Sequence, residues 1–138
     1  MSDLKALGAR LDALINACPN LVERDGAEYV VPVGARTQRL RIGLDGVHVV
    51  FSSVVARGSQ LMDARGSRCS EADVLADLWA RNARVDTVSF SLDRHGRVVG
   101  RIEALLATLD DEELAFYVAR LAEECDRFEF VLTGEDRG

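Results

Sequence analysis

An apolar stripe near the end of the chain constrains the fold most. Leu114, Tyr117, Val118, Leu121, Cys125, Phe128 and Leu132 recur largely at three- and four-residue steps. That spacing places them on one side of an α-helix of about six turns, and a one-sided helix of that length must lie against a second layer. Thr108 with Asp111 reads as its capping pair. Asp110, Asp111, Glu112 and Glu113 fill the first turn, where the helix dipole favours negative charge. Phe116 and Phe130 fall roughly 160° to 200° from the stripe at 100° per residue. Either the helix breaks near Arg127, making Phe128, Phe130 and Leu132 one face of a short strand, or it continues and its back docks a partner.

The second layer is written in the first half. Leu40, Ile42 and Leu44 alternate with Arg39, Arg41 and Gly43, the period of a strand with one wet face. Around it lie the β-rich stretches Leu21 to Arg24, Ala27 to Val33, Arg36 to Leu44 and Val47 to Ala56, with Asp25-Gly26 and Asp45-Gly46 as turn signals. Val47 to Val55 alternates less, which predicts deeper burial. Before them, Ser2 or Asp3 caps a helix striped by Leu4, Leu7, Leu11, Leu14, Ile15 and Cys18, and Pro19 ends it.

Residues 57–69 lack periodicity and read as the longest loop. Ser70 starts a helix to about Ala83, with Asp73 at its third position and Val74, Leu75, Leu78 and Trp79 over one wide face. Thr87 to Leu92 and Arg97 to Leu105 read as strands joined by Asp93-Arg94-His95-Gly96. The order is helix, three-stranded antiparallel meander, helix, β-hairpin, helix: an α+β fold with helices over an antiparallel sheet. A length of 138 residues and the lack of repeats or linkers predict one domain over residues 1–138.

Nearly half the residues, 48%, are apolar, which excludes a disordered chain. No apolar run approaches the ~20 residues of a membrane span, and the N-terminus lacks a signal core, so a membrane partner is not expected. Cys18, Cys69 and Cys125 are odd in number and widely spaced, which suits reduced thiols and a cytoplasmic location. Residues 108–138 carry ten acids and three Arg, against thirteen acids and fourteen bases before them, so the net charge of −6 belongs to the end of the chain. This polarity disfavours nucleic acid as a partner. The basic region Arg36 to Arg41, with Arg57, Arg65 and Arg68, is the alternative nucleic-acid surface, but it has only Phe51 for stacking.

Catalytic signatures are missing: there is no nucleophile elbow, phosphate loop, dinucleotide fingerprint, zinc-protease helix or Cys-x-x-Cys. His48, within an apolar run, and His95, in a turn, read as ordinary strand and turn residues. The acid pairs read as helix caps and solvated faces, because adjacent helical residues do not converge on one point. Cys69, just before the Ser70 helix, is the one candidate for an activated thiol. Neither catalytic residues, a cofactor nor a metal is assigned, and a non-enzyme is expected. The surplus apolar surface points to association instead. The predicted homodimer interface is Val74, Leu75, Leu78 and Trp79 with Val88 and Phe90 of the hairpin. The predicted site for a protein client is Phe116 and Phe130 with Ala115, Ala119 and Ala122.

Tyr29-Val30-Val31-Pro32-Val33-Gly34, Arg36-Thr37-Gln38-Arg39-Leu40-Arg41-Ile42 and Val47-His48-Val49-Val50-Phe51-Ser52 carry a family likeness. It continues through Asn82-Ala83, Ser89-Phe90-Ser91-Leu92-Asp93, Gly96-Arg97-Val98-Val99-Gly100 and Thr108-Leu109-Asp110. With the element order, these segments resemble the YbjN-like branch of the type III secretion chaperone-like fold. The resemblance implies a non-enzymatic homodimer that binds another protein, in a family described as sensory or regulatory, and it supplies no catalytic residues. The sequence lacks a recognisable effector-pairing motif of the secretion chaperones.

Overall fold

The computed structural model describes residues 2–65, 70–85 and 87–133. Helix α1 (Ser2–Asn16) precedes the strands β1 (Val22–Asp25), β2 (Glu28–Val33), β3 (Arg36–Asp45) and β4 (His48–Ala56). Helices α2 (Gly58–Arg65) and α3 (Glu71–Arg84) follow, then the hairpin β5 (Ser89–Leu92) and β6 (Val98–Leu105). A 3₁₀ turn (Leu106–Thr108) leads into α4 (Asp111–Thr133). The six strands form one antiparallel sheet in the order β1-β2-β3-β4-β6-β5.

The expected α+β class holds, with local corrections. The meander has four strands, not three. β1 is too short to display alternation, and its pairing with β2, including a register shift between Glu23 and Asp25, is what defines it. The expected loop after β4 contains α2. Among its described side chains only Leu61 joins the core, and Gln60 Oε1 accepts the Arg57 N–H at 2.8 Å, half of a capping box. The start of α4 is likewise shifted. Asp110, not Thr108, caps it, accepting the Glu113 N–H at 2.8 Å, while the Thr108 hydroxyl donates to the Leu105 carbonyl within the 3₁₀ turn. Ser70 caps α3 as expected, accepting the Asp73 N–H at 3.2 Å.

Each meander turn uses one device. The registers leave two-residue loops at Gly26-Ala27, Gly34-Ala35 and Gly46-Val47, with glycine first and φ near +60°. All positive-φ residues described are glycines, so the second loop position keeps a negative φ. This is the type II′ pattern, whose twist matches that of the strands it joins.

α4 packs against one face of the sheet, and its expected stripe is buried except for the half-buried Tyr117. It meets Leu40, Ile42, Val49, Phe51 and Ile102 in a single hydrophobic cluster. The helix continues through Arg127 to Thr133, so Phe128 to Leu132 is helical and not a strand. Arg10 fastens α1 to the β6–α4 corner, donating to the carbonyls of Leu106 at 3.3 Å and Leu109 at 2.9 Å.

Gly100 sets how closely α4 approaches the sheet. A β-carbon there would lie 2.5 Å from Cys125 Sγ, 3.1 Å from the Phe90 ring and 3.4 Å from Leu121. Phe90 faces Gly100 across β5–β6 and packs edge-on against Phe128 with ring centroids 4.7 Å apart. Beside them a small polar cluster is internally satisfied. Gln38 donates to Ser53 Oγ at 2.9 Å, and Ser53 donates to the Arg39 carbonyl at 2.6 Å.

Candidate functional site

The surplus apolar surface resolves into a face of α3 and scattered aromatics on α4. On α3, Val74 and Leu78 point into the core with the following Val85. The opposite side carries Ala72, Leu75, Ala76, Trp79, Ala80 and Ala83, all exposed. At 100° per residue these six span about 140° of the helix, and the charged Glu71, Asp73, Asp77, Arg81 and Arg84 fall outside that arc. The predicted interface is thereby corrected: Val74, Leu78, Val88 and Phe90 fill the protein's own core, and Leu75 and Trp79 remain accessible. The sequence showed a wide apolar face without showing that it was two faces. Trp79 is 80% exposed.

On α4 the rings of Phe116 and Phe130 are 56% and 54% exposed, and Val131 is exposed beside Phe130. Phe116 and Phe130 lie within about 40° of each other around the axis and about 21 Å apart along it. Arg120, Glu123 and Arg127 fall between them, so the rings are separate anchors on a charged strip. Ala122 is buried and cannot contribute to that surface, and Ala115 and Ala119 are half-buried. The packing of α4 on the sheet turns Ala122 inward beside Leu121.

The sheet face opposite α4 is open. Cross-strand pairing aligns Glu28, Arg41, Ser52, Arg101 and Ser89 in one row and continues through the adjacent Val54, Val99 and Ser91. With Arg57 and Arg97 at its ends, this face forms a trough of about 1020 Å³. Among the described residues five arginines line it (39, 41, 57, 97 and 101), with the acids Glu28 and Asp93 and, from α4 at its margin, the buried Glu129. Arg97 donates to Asp93 at 2.8 Å and Arg101 pairs with Glu103 at 3.5 Å, whereas the guanidinium groups of Arg39, Arg41 and Arg57 have no ion pair among the described residues. The Arg97 N–H, then the Arg97 guanidinium and the His95 N–H, hold the Asp93 carboxyl below its usual pKa despite some desolvation. The alternation of Arg101 and Glu103 along β6 was the available sequence signal for this face.

Arg36, read from the sequence with the basic region, is committed elsewhere. It grips Asp126 of α4 with Nε at 3.0 Å from Oδ1 and a second, shorter contact from its terminal nitrogen. Glu124, also buried, accepts from Arg81 of α3 at 3.0 Å and lies close to Arg120 and Arg127. The Arg81 guanidinium also stacks 5.6 Å from the Phe128 centroid, so one residue ties α3 to α4. Asn82 bonds Phe90 twice, donating to its carbonyl at 2.9 Å and accepting its N–H at 2.7 Å. Nothing in the sequence pattern announced that bracket.

Burial pushes the Cys125 thiol far above its ordinary pKa, slightly offset by Ser53 and reinforced by Glu124, Glu129 and Asp126, so its thiolate is not a usable nucleophile. Cys18 is free and buried. Cys69 and Arg68 lie outside the described residues. His48 is exposed at the start of β4, and His95 is exposed in the hairpin turn beside Arg94. Among the described residues no three His, Cys, Asp or Glu side chains gather as a metal site, and no helix is long and apolar enough to cross a membrane.

Solved structures share this fold at low sequence identity. A chain of the heterodimeric ExoU-SpcU complex from the type III secretion system of Pseudomonas aeruginosa matches with TM-score 0.61 and 19% identity, covering 91% of this chain and 99% of that one. A chain of the HopA1-SchA chaperone-effector complex matches with TM-score 0.56 and 10% identity, over 91% and 94% of the two chains. YbjN from E. coli matches with TM-score 0.53 and 19% identity, over 95% and 89%. None of the curated proteins matches the sequence. Residues 35–133, from the end of the β2–β3 turn to the last residue of α4, match the family model YbjN, described as "Putative bacterial sensory transduction regulator", and the chain belongs to that family.

Proposed function

We propose that this protein is a homodimeric, non-enzymatic protein-binding module, chaperone-like or regulatory, acting in the bacterial cytoplasm as one domain over residues 1–138. The observation that carries the reading is the second apolar face of α3. Trp79 and Leu75 stand exposed among alanines whose small side chains allow close helix approach. A second copy presenting the same face would cover both by a two-fold contact, the commonest arrangement of homo-oligomers. Membership of the YbjN family supports a regulatory role, and the fold shared with chains from a secretion-system heterodimer and a chaperone-effector complex supports a protein client. The free, buried Cys18 and Cys125 suit a reducing compartment.

Sedimentation velocity tests the dimer. The wild type is expected at twice 15.1 kDa at tens of micromolar, and Trp79→Glu at 15.1 kDa with its melting temperature nearly unchanged. Because Trp79 makes little contact with its own core, the variant separates association from folding. Trp79→Ala should weaken the dimer by about 2 kcal/mol or more, the loss typical of an interface anchor. A wild type that sediments as a monomer overturns the proposal.

The client is proposed to dock on the outer side of α4 through Phe116 and Phe130, with Glu112, Glu113 and Glu123 steering its approach. Phe116→Ser with Phe130→Ser should retain fold and dimer but lose the client. The test is recovery of the same crosslinked protein by wild type and its loss with the double variant. Equal recovery by both removes this surface from the proposal.

A further inference from the structure

We propose that the open sheet face is a second docking site, one that takes an extended acidic segment of a partner protein. The described residues that line the trough include five arginines and three acids, an excess of positive charge on a chain whose total is −6. Any anionic partner is repelled by most of this surface and attracted here. Arg39, Arg41 and Arg57 have no ion pair among the described residues, unlike Arg36, Arg81, Arg97 and Arg101, so their charge is available to a ligand.

The distribution of charge selects the occupant. Arg39 and Arg41 are two residues apart on one strand, about 7 Å, and Arg41 and Arg101 are separated by two strand spacings, about 10 Å. Arginines whose strand positions are spaced so widely suit carboxylates distributed along a chain better than one compact phosphate. Beside them lie Val54, 38% exposed, and the half-buried Val50 and Val99, which suit small apolar side chains alternating with the acids. No aromatic residue is among the described residues that line the trough, so base stacking is not offered, which disfavours single-stranded nucleic acid.

The proposal rests on the reading of the chain as a protein-binding module, but not on its dimer. The probe is a short fluorescein-labelled peptide of alternating Glu and Val, with the Gln-for-Glu peptide and a single-stranded oligonucleotide of similar length as comparisons. Anisotropy should show the acidic peptide binding and weakening as salt rises, the Gln peptide binding at least about tenfold more weakly, and the oligonucleotide more weakly than the acidic peptide. Arg39→Gln, Arg41→Gln, Arg57→Gln together should weaken the acidic peptide by about tenfold or more. If the triple variant melts early, Arg41→Gln alone carries the test, with a loss of about threefold. Trp79→Glu should bind the peptide as the wild type does. Unchanged affinity in the arginine variants, no binding of the acidic peptide, or tighter binding of the oligonucleotide overturns the proposal. A monomeric wild type that still binds the peptide removes the dimer alone, and a dimer that ignores the peptide removes the trough alone.

Discussion

Gly100→Ala should cost this protein about 2 to 3 kcal/mol, the upper part of the range for overpacking a filled core. The added methyl would have to displace Cys125 Sγ at 2.5 Å and press on the Phe90 ring at 3.1 Å. Neither can yield freely: Cys125 is fully buried on α4, and Phe90 is held by Phe128 and by Asn82. In a domain near this size the melting temperature should fall by roughly 6 to 12 °C. Because the worst contact is with one sulfur atom, Cys125→Ala should restore more than half of the loss when combined with Gly100→Ala, a coupling that independent sites would not show. Thermal melts of the two single variants and the double variant check this. Additive losses would mean that the limit lies in the backbone and not in the facing thiol.

Arg36→Ala should be comparably damaging. Asp126 is 5% exposed and Arg36 grips both of its oxygens, so removing the cation leaves a carboxylate buried without its partner. Breaking such a pair costs about 3 to 5 kcal/mol when both ions are buried. The low end, about 3 kcal/mol, applies here because Arg36 is itself 36% exposed and water can enter the vacated space. Replacing both partners by apolar residues, Arg36→Met with Asp126→Leu, should recover most of the stability, since neither charge then needs desolvation. Urea titrations at neutral pH measure both effects. A single variant within about 0.5 kcal/mol of wild type would show that the pair behaves as an exposed one.

These two sites also mark where sequence reading ends. Periodicity placed α4, β3 and the Ser70 cap of α3, because each announces itself within a few turns or strand residues. Residues whose partner lies far along the chain were not legible in that way. Arg36 looked like one member of a basic run, and only the packing of α4 on β3 shows that Asp126, ninety residues later, neutralises it. Gly100 looked like an ordinary strand residue until Cys125 was placed above it. The α3 surface was half legible: four apolar residues could be counted, but which two face inward depends on where β5 lies. The α4 stripe correctly set Phe116 and Phe130 outward, whereas the small-residue strip beside them failed at Ala122, whose burial depends on helix rotation. α2 left almost no trace, because a helix that buries only Leu61 among its described side chains needs no repeating apolar pattern.

The bracket that Asn82 places on Phe90 makes the two borders of the sheet unequal. Phe90 directs its N–H and carbonyl away from β6, toward the position a further strand would occupy, and the Asn82 amide satisfies both. At β5 an incoming chain finds the central pair of backbone groups already occupied and α3 packed alongside. At the other border, β1 pairs with β2 and with no other strand among the described residues. Growth by strand addition in both directions requires two receptive borders, as in a fibril. A sheet with one sealed border can accept a strand at the other and then stop. Asn82→Ala would free both Phe90 groups and leave α3 alone to cover this border, and the expected consequence is a chain that folds but polymerises slowly on standing, detectable as a rise in thioflavin fluorescence absent from the wild type.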